Sequence, residues 1–263
     1  MVIAMERMQS HALGAGRPMA LVGGGLTGWK SWEPHQARLA GSRRVVRLQP
    51  LSVQLGLENR PPPVNYSIEL EASALGAALD REPVDLVAWS YGAFIALTFA
   101  LAAPGRVRTL TLIEPPALWV LDATGSGDDQ ARREIDDLGA LYREMTTDVS
   151  EEQLAHFVVG AGLVPPGQRA EELAAWPSWV EHRRSLRTGV ASWEHRDSVD
   201  SLRALDRPTL LVTGHGTAHF LRRIVDGLAA EMPRSSLVVL PGGHAPHLVA
   251  MDDFLARLVE HTS

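Results

Sequence analysis

The stretch VDLVAWSYGAF, residues 84–94, decides the fold. Val84 to Trp89 is a short, nearly continuous apolar run, the pattern of a strand covered on both faces. From Tyr91 the pattern changes to small and apolar residues at helical spacing. It continues through GAFIALTFALAAPG (92–105), where Pro104 and Gly105 read as a helix stop. Ser90 stands at the hand-over. Ala88 and Gly92 flank it two residues away on either side, where a strand turning straight into a helix has room only for small side chains. Such a turn holds the serine in a strained backbone conformation with its Oγ exposed. The amides of the helix start then point at whatever the serine binds. This is the nucleophile-elbow pattern G-x-S-x-G, with Ala88 in place of the first glycine.

The same alternation recurs to either side. MALVG (19–23), RVVRL (44–48), DLVAW (85–89), TLTLI (109–113), TLLVTG (209–214) and SLVVL (236–240) read as buried strands. Helical periodicity fills IELEASALGAALD (68–80) and AHFLRRIVDGLAAEM (218–232). Strand and helix in alternation predict an α/β fold, a mostly parallel, doubly wound sheet with helices on both faces. Between residues 115 and 205 the strand pattern stops. DDQARREIDDLGALYREM (128–145) is helical, a second helix starts at Ser150 with Gln153 completing a capping box, and a third, around RAEELAAWPSWVEHRRSL, is bent or broken at Pro177. The segment is expected to be a helical cap insertion over one edge of the sheet. The core is then 17–114 and 206–263, with residues 1–16 a flexible or peripheral N-terminus. RPPPVN (60–65) reads as a rigid loop.

With 263 residues the chain can bury one large core. A net charge of −6 argues against nucleic acid, which requires a basic face. No apolar run approaches the about 20 residues that cross a bilayer, and the opening MVIAMERMQSHALGAGRP has no secretory apolar core. A cytoplasmic location is the default expectation. Cysteine is absent, so disulfides, thiolate metal sites and a cysteine nucleophile are excluded.

A serine hydroxyl requires a base. LVVLPGGHAPHLV (237–249) offers His244 on a Pro-Gly-Gly turn after the last strand, with His247 three residues on, inside the start of a helix. His244 has the better placement. An oxyanion formed at the serine requires backbone donors. One is the N–H of Tyr91, and LVGGGLTGW (21–29) is the loop expected to supply the other. That loop matches neither G-x-G-x-x-G with an acidic ribose ligand nor a phosphate loop ending in Lys-Ser/Thr. His215, His219, His244 and His247 do not form a convincing metal set, because Gly216 interrupts the first pair and no third carboxylate ligand is evident. They are expected at the surface or pocket edge. Neither a metal nor a cofactor is expected.

The strand order, the AWSYG elbow, the GGGLTG loop, the helical insertion and the terminal GGHAPH together resemble the α/β-hydrolase superfamily over residues 17–260. The resemblance aligns Gly24 with the usual histidine of the early loop, Gly25 with its glycine, and makes Leu26 the second oxyanion donor. It also exposes a departure. The acid that orients the histidine usually ends a G-x-x-D turn, where VTGHGTAHF (212–220) has Thr217. Thr217 could hold the ring by a hydrogen bond but could not supply charge. The alternative place in the superfamily, after the strand following the nucleophile helix, holds Glu114 in TLTLIEPPALW (109–119). The bland alternative is a Glu114 satisfied by backbone amides.

The resemblance implies a serine hydrolase acting on a carboxylic ester or lactone, with Ser90, His244 and Glu114 catalytic and Leu26 and Tyr91 as oxyanion donors. Trp29, Trp89, Trp119 and Trp176 are candidate pocket residues for a small-molecule substrate with an apolar or aromatic part. They could equally be core. Carbon–carbon bond hydrolysis, acyl transfer or cofactor-free oxygenation on the same three residues stay open, as does ligand binding by an idle triad. Dehalogenation would require aspartate at position 90.

Overall fold

In each central strand, successive side chains go to opposite faces of one sheet and build two cores. The computed structural model describes residues 7–145 and 147–263. Ala20 and Val22 of β2 (Pro18–Val22) and Leu86 and Ala88 of β4 (Val84–Trp89) pack on one face, under the helices Ile68–Ala78, Tyr91–Ala102 and His219–Glu231. Met19, Leu21, Val87 and Trp89 pack on the other, under Trp32, Leu39 and the helix Met251–His261. Both faces are covered, which is why the strands read as continuous apolar runs rather than alternating ones.

The remaining strands are β1 (Gln9–Leu13), β3 (Arg44–Gln49), β5 (Val107–Ile113), β6 (Thr209–Gly214) and β7 (Ser235–Leu240). They lie in the order β1-β3-β2-β4-β5-β6-β7. All pairings are parallel except β1 with β3. The doubly wound arrangement is therefore as expected, with an added strand at one edge and a correction at the other. Residues 1–6 of the expected flexible N-terminus lie outside the described residues, but Gln9–Leu13 is an antiparallel edge strand paired from Gln9↔Gln49 to Leu13↔Val45. Its side chains are all exposed, so no apolar period announces it. At the other edge β7 is only partly covered, with Leu237 exposed.

The helix Tyr91–Ala102 is buried on nearly every side from Gly92 to Ala100, as a helix apolar all round must be. Residues 115–205 contain no strand among the described residues. The helix Asp129–Glu144 starts on the side chain of Asp128, and Glu151–Gly160 on the expected capping box of Ser150 and Gln153. Pro177 does not break a helix. It occupies the first turn of Trp176–His182, where its missing N–H costs nothing, and 3-10 turns lie on either side (Ala170–Glu172 and Arg183–Thr188). Leu141, Val149, Leu154, Trp179 and Leu186 form a third apolar cluster that takes in Leu26 from the loop after β2. Among the described residues no helix is long and apolar enough to cross a membrane.

Candidate active site

Ser90 follows the last residue of β4 with φ 54° and ψ −125°, a left-handed conformation that costs free energy in any residue with a Cβ. Its N–H donates to Ile113 O at 2.8 Å, and its carbonyl accepts from Ala93 and Phe94 in the first turn of the helix. The turn is tight because the chain after β2 passes directly beside it. A Cβ on Gly92 would lie 2.4 Å from Gly23 O and 2.9 Å from Val22 O. The small residue at position 92 is thus a steric requirement.

His244 sits after β7. Its backbone N–H donates to Gly162 O at 2.9 Å and its carbonyl accepts from Trp89 Nε1 at 2.7 Å. The ring reaches both partners expected of it: Nε2 lies 2.8 Å from Ser90 Oγ, and Nδ1 lies 2.6 Å from Glu114 Oε2. A carboxylate only accepts, so Nδ1 carries the proton and Nε2 presents its lone pair to the serine hydroxyl.

Glu114 directly follows β5, has φ 46° and is fully buried. Two donors converge on Oε1, Thr213 Oγ1 at 2.8 Å and Gly214 N–H at 2.7 Å. Oε2 accepts from Thr217 Oγ1 at 2.6 Å as well as from His244. Four donors match the accepting capacity of an ionised carboxylate, which removes the penalty for burying it. Only one of them is a backbone amide, so satisfaction by backbone alone does not describe this residue. Thr217 does not touch the histidine ring; its hydroxyl goes to the acid.

Tyr91 is the first residue of its helix, so its N–H has no carbonyl a turn earlier to bond. Leu26 and Tyr91 both line the same cavity as Ser90 and His244. The loop carrying Leu26 folds on itself through Gly28 N–H to Gly24 O at 3.0 Å. Gly24, where the resemblance places a histidine, faces the ring of Trp89, and a Cβ there would come within 2.9 Å of it. The indole fills the space that a larger residue would require.

The cavity and its solvent-filled mouth together span about 850 Å³. Apart from Ser90 and His244, its wall is mainly apolar, with Leu118, Leu138, Phe157 and Trp193 from the 115–205 segment facing Phe220 and Leu221 of the core. Among the described residues its lining holds no Lys, Arg, Asp or Glu. Of the four tryptophans expected here only Trp89 lines it. Trp119 is buried in the core near the helix His219–Glu231. Trp29 starts a short 3-10 turn, anchored through its N–H to Gln49 Oε1, and Trp176 packs against the separate cluster of the 115–205 segment. Tyr142, Phe157 and Trp193 were missed; they carried no signal beyond lying in the insertion.

The other histidines have their own partners. His215 Nδ1 donates to Leu240 O, and His219 Nε2 meets Asp128. His247 corrects the expectation of a surface or pocket-edge ring: it is fully buried against Trp89, Trp32 and Phe254. Among the described residues no three or more His, Asp or Glu side chains gather in a way that would hold a metal ion.

Comparison with known proteins adds three relatives and one family. The model of the alpha/beta hydrolase family matches residues 19–258. A 2-hydroxy-6-oxo-2,4-heptadienoate hydrolase of Pseudomonas putida is 38% identical over 109 residues, a match spanning 39% of this chain and 39% of the relative. A 2-hydroxymuconate semialdehyde hydrolase of Pseudomonas sp. (strain CF600) is 32% identical, covering 81% of this chain and 75% of the relative. A pimeloyl-[acyl-carrier protein] methyl ester esterase of Neisseria meningitidis is 29% identical, covering 73% of this chain and 60% of the relative.

Proposed function

The chain belongs to the alpha/beta hydrolase family, and from that premise we propose that it hydrolyses a neutral carboxylic ester or lactone through an acyl intermediate on Ser90. The observation that carries the proposal is the unbroken hydrogen-bonded line from Ser90 Oγ through His244 to Glu114, at 2.8 and 2.6 Å.

In this reading Ser90 Oγ attacks the ester carbonyl while His244 Nε2 takes its proton. The oxyanion so formed accepts from the N–H groups of Tyr91 and Leu26. His244 is then an imidazolium, and Glu114 supplies its counter-charge, held in place by the hydroxyls of Thr213 and Thr217 and by the Gly214 N–H. Collapse of the tetrahedral species breaks the C–O bond, and His244 returns the proton to the leaving alcohol. Water repeats the sequence on the acyl-enzyme and frees Ser90. The 115–205 segment acts as the cap, excluding water and offering an apolar wall to the acyl or alcohol part of a small-molecule substrate.

Similarity to two relatives named for dienoate and semialdehyde substrates favours a second reading, carbon–carbon bond hydrolysis on the same three residues. A dienoate is an anion, and the uncharged lining offers it no cation. The esterase relative and the apolar wall support the neutral ester.

A fluorophosphonate probe should label Ser90, and p-nitrophenyl esters should be turned over. Ser90→Ala should lose roughly three or more orders of magnitude in kcat. Covalent labelling that maps to another residue, or cleavage of a dienoate ketone in preference to every ester, would overturn the proposal.

A further inference from the structure

Besides Ser185, Thr188 and Ser192, a strip of three hydroxyl side chains lines the cavity wall, and the chemistry at Ser90 does not use it. The strip comprises the side chains of Tyr91, Tyr142 and Ser52, the last from the helix Leu51–Leu57. Behind it lies Glu71, fully buried. Glu71 sits in the helix Ile68–Ala78 on the same stripe as Ile68 and Leu75, three residues before and four after it. Its carboxyl accepts from Leu51 N–H and Ser52 N–H, each at 2.8 Å, and from Tyr66 Oη at 2.5 Å. Three donors and no acceptor mark an ionised carboxylate, although burial pushes this group upward.

The direction of the hydrogen bonds follows. Tyr66 uses its one hydroxyl hydrogen on Glu71. The Tyr91 hydroxyl, 2.8 Å from that of Tyr66, must therefore be the donor between them, leaving its oxygen as an acceptor. Burial, and next the charge of Glu71, raise both phenols well above 10, so both stay neutral. Ser52 Oγ is buried with no partner at ordinary hydrogen-bond geometry, the Glu71 carboxyl being the group on the protein side that its hydroxyl helps to stabilise. Burial pushes the Tyr142 phenol upward, so it too stays neutral.

We propose that this strip is a specificity subsite for an uncharged hydroxyl on the substrate chain, which donates to Tyr91 Oη and accepts from Tyr142 Oη or Ser52 Oγ. The proposal rests on the ester reading and narrows it to esters bearing an alcohol along the chain. Other occupants fit less well. An anion would meet the Glu71 charge two hydroxyls away and no cation. A plain alkyl chain would leave the buried Ser52 hydroxyl without a partner, and a site built to pair with a hydroxyl discriminates against the analogue that lacks it.

The test uses Ser90→Ala protein, so that binding is read without turnover. Methyl octanoate is compared by calorimetry with methyl hydroxyoctanoates whose hydroxyl is moved along the distal half of the chain. At least one hydroxy ester should bind about 10-fold more tightly than the parent. That ratio should fall towards one when Tyr91→Phe or Tyr142→Phe is added. The proposal is overturned if no hydroxy ester binds more tightly than methyl octanoate, or if the preference survives both substitutions. Esterase turnover is measured separately on the unsubstituted protein. Its absence would refute the ester reading while leaving the binding preference to be read on its own.

Discussion

Thr217 donates its hydroxyl to Glu114 Oε2 at 2.6 Å, the same oxygen that receives Nδ1–H of His244. A neutral residue at the turn where the superfamily usually carries its acid thus supports an acid on the neighbouring strand. Exchanging Glu114 for its amide tests the charge. Glu114→Gln keeps the shape, but it removes the counter-charge of the imidazolium and turns an NH2 towards donors on one side. We expect the fold to persist and kcat for p-nitrophenyl esters to fall by roughly two to four orders of magnitude. A loss below about five-fold would mean that the carboxylate does not act in the reaction.

Thr217→Val probes the support rather than the acid. Valine fills the same volume but leaves Oε2 with His244 as its sole donor. The sequence alone allows Thr217 a bond to the histidine ring; the structure gives its hydroxyl to the acid instead. Losing one hydrogen bond to a charged acceptor costs about 1–2 kcal/mol of orientation, or roughly 5- to 30-fold in kcat. KM should change little, since Thr217 does not line the cavity. Activity within two-fold of the parent would show that Glu114 holds its position without the hydroxyl.

Sequence patterns made the elbow and the histidine loop legible because each is local. A buried strand, a turn and a helix lie within a dozen residues of Ser90, and strand, Pro-Gly-Gly and helix frame His244. Glu114 was legible only as a carboxylate ending a buried strand. What saturates it comes from Thr213, Gly214 and Thr217, about a hundred residues away and invisible to any local pattern. The cavity wall failed for another reason. A tryptophan in a helical insertion shows that something is buried, not on which side. Trp119 went into the core and Trp193 reached the cavity. β1 escaped notice because QSHAL, exposed along its length, has no apolar period to read.

Restoring the superfamily's usual histidine at position 24 should harm this protein. A Cβ on Gly24 would come within 2.9 Å of the Trp89 ring, whose Nε1 holds the carbonyl of His244. Trp89 is almost fully buried and has little room to retreat. We expect Gly24→His to lose about 1–3 kcal/mol of stability through overpacking and to lower kcat as the His244 loop shifts. Thermal melting and ester turnover read both effects. An unchanged melting temperature would mean that the loop has slack the structure does not display.

The last expectation concerns acid. His247 has no partner at either ring nitrogen and is enclosed by Trp89 at 4.7 Å, Trp32 at 4.8 Å and Phe254 at 5.9 Å. Burial, then the neighbouring His35 and His244, push it well below its ordinary value of 6.5. His35 is lowered too, chiefly by burial, as are His182 and His261. A base depressed in the fold binds its proton more readily in the unfolded chain. Its contribution to stability is therefore intact above about pH 6.5 and is lost as pH falls below it, by up to about 1.4 kcal/mol per pH unit for each such group. His195 works the other way. Burial would lower it, but Asp197 and Glu69 raise it, so its contribution is present in acid and lost as pH rises through its elevated value. Four depressed histidines against one raised predict a net loss of stability in acid. The melting temperature should fall by several degrees between pH 7.5 and 5.5, at roughly 2–4 °C per kcal/mol for a chain of this size. His247→Phe keeps a ring in the same aromatic cage but has nothing to protonate, so its melting temperature should depend less steeply on pH. Parallel slopes in the two proteins would place the acid sensitivity elsewhere.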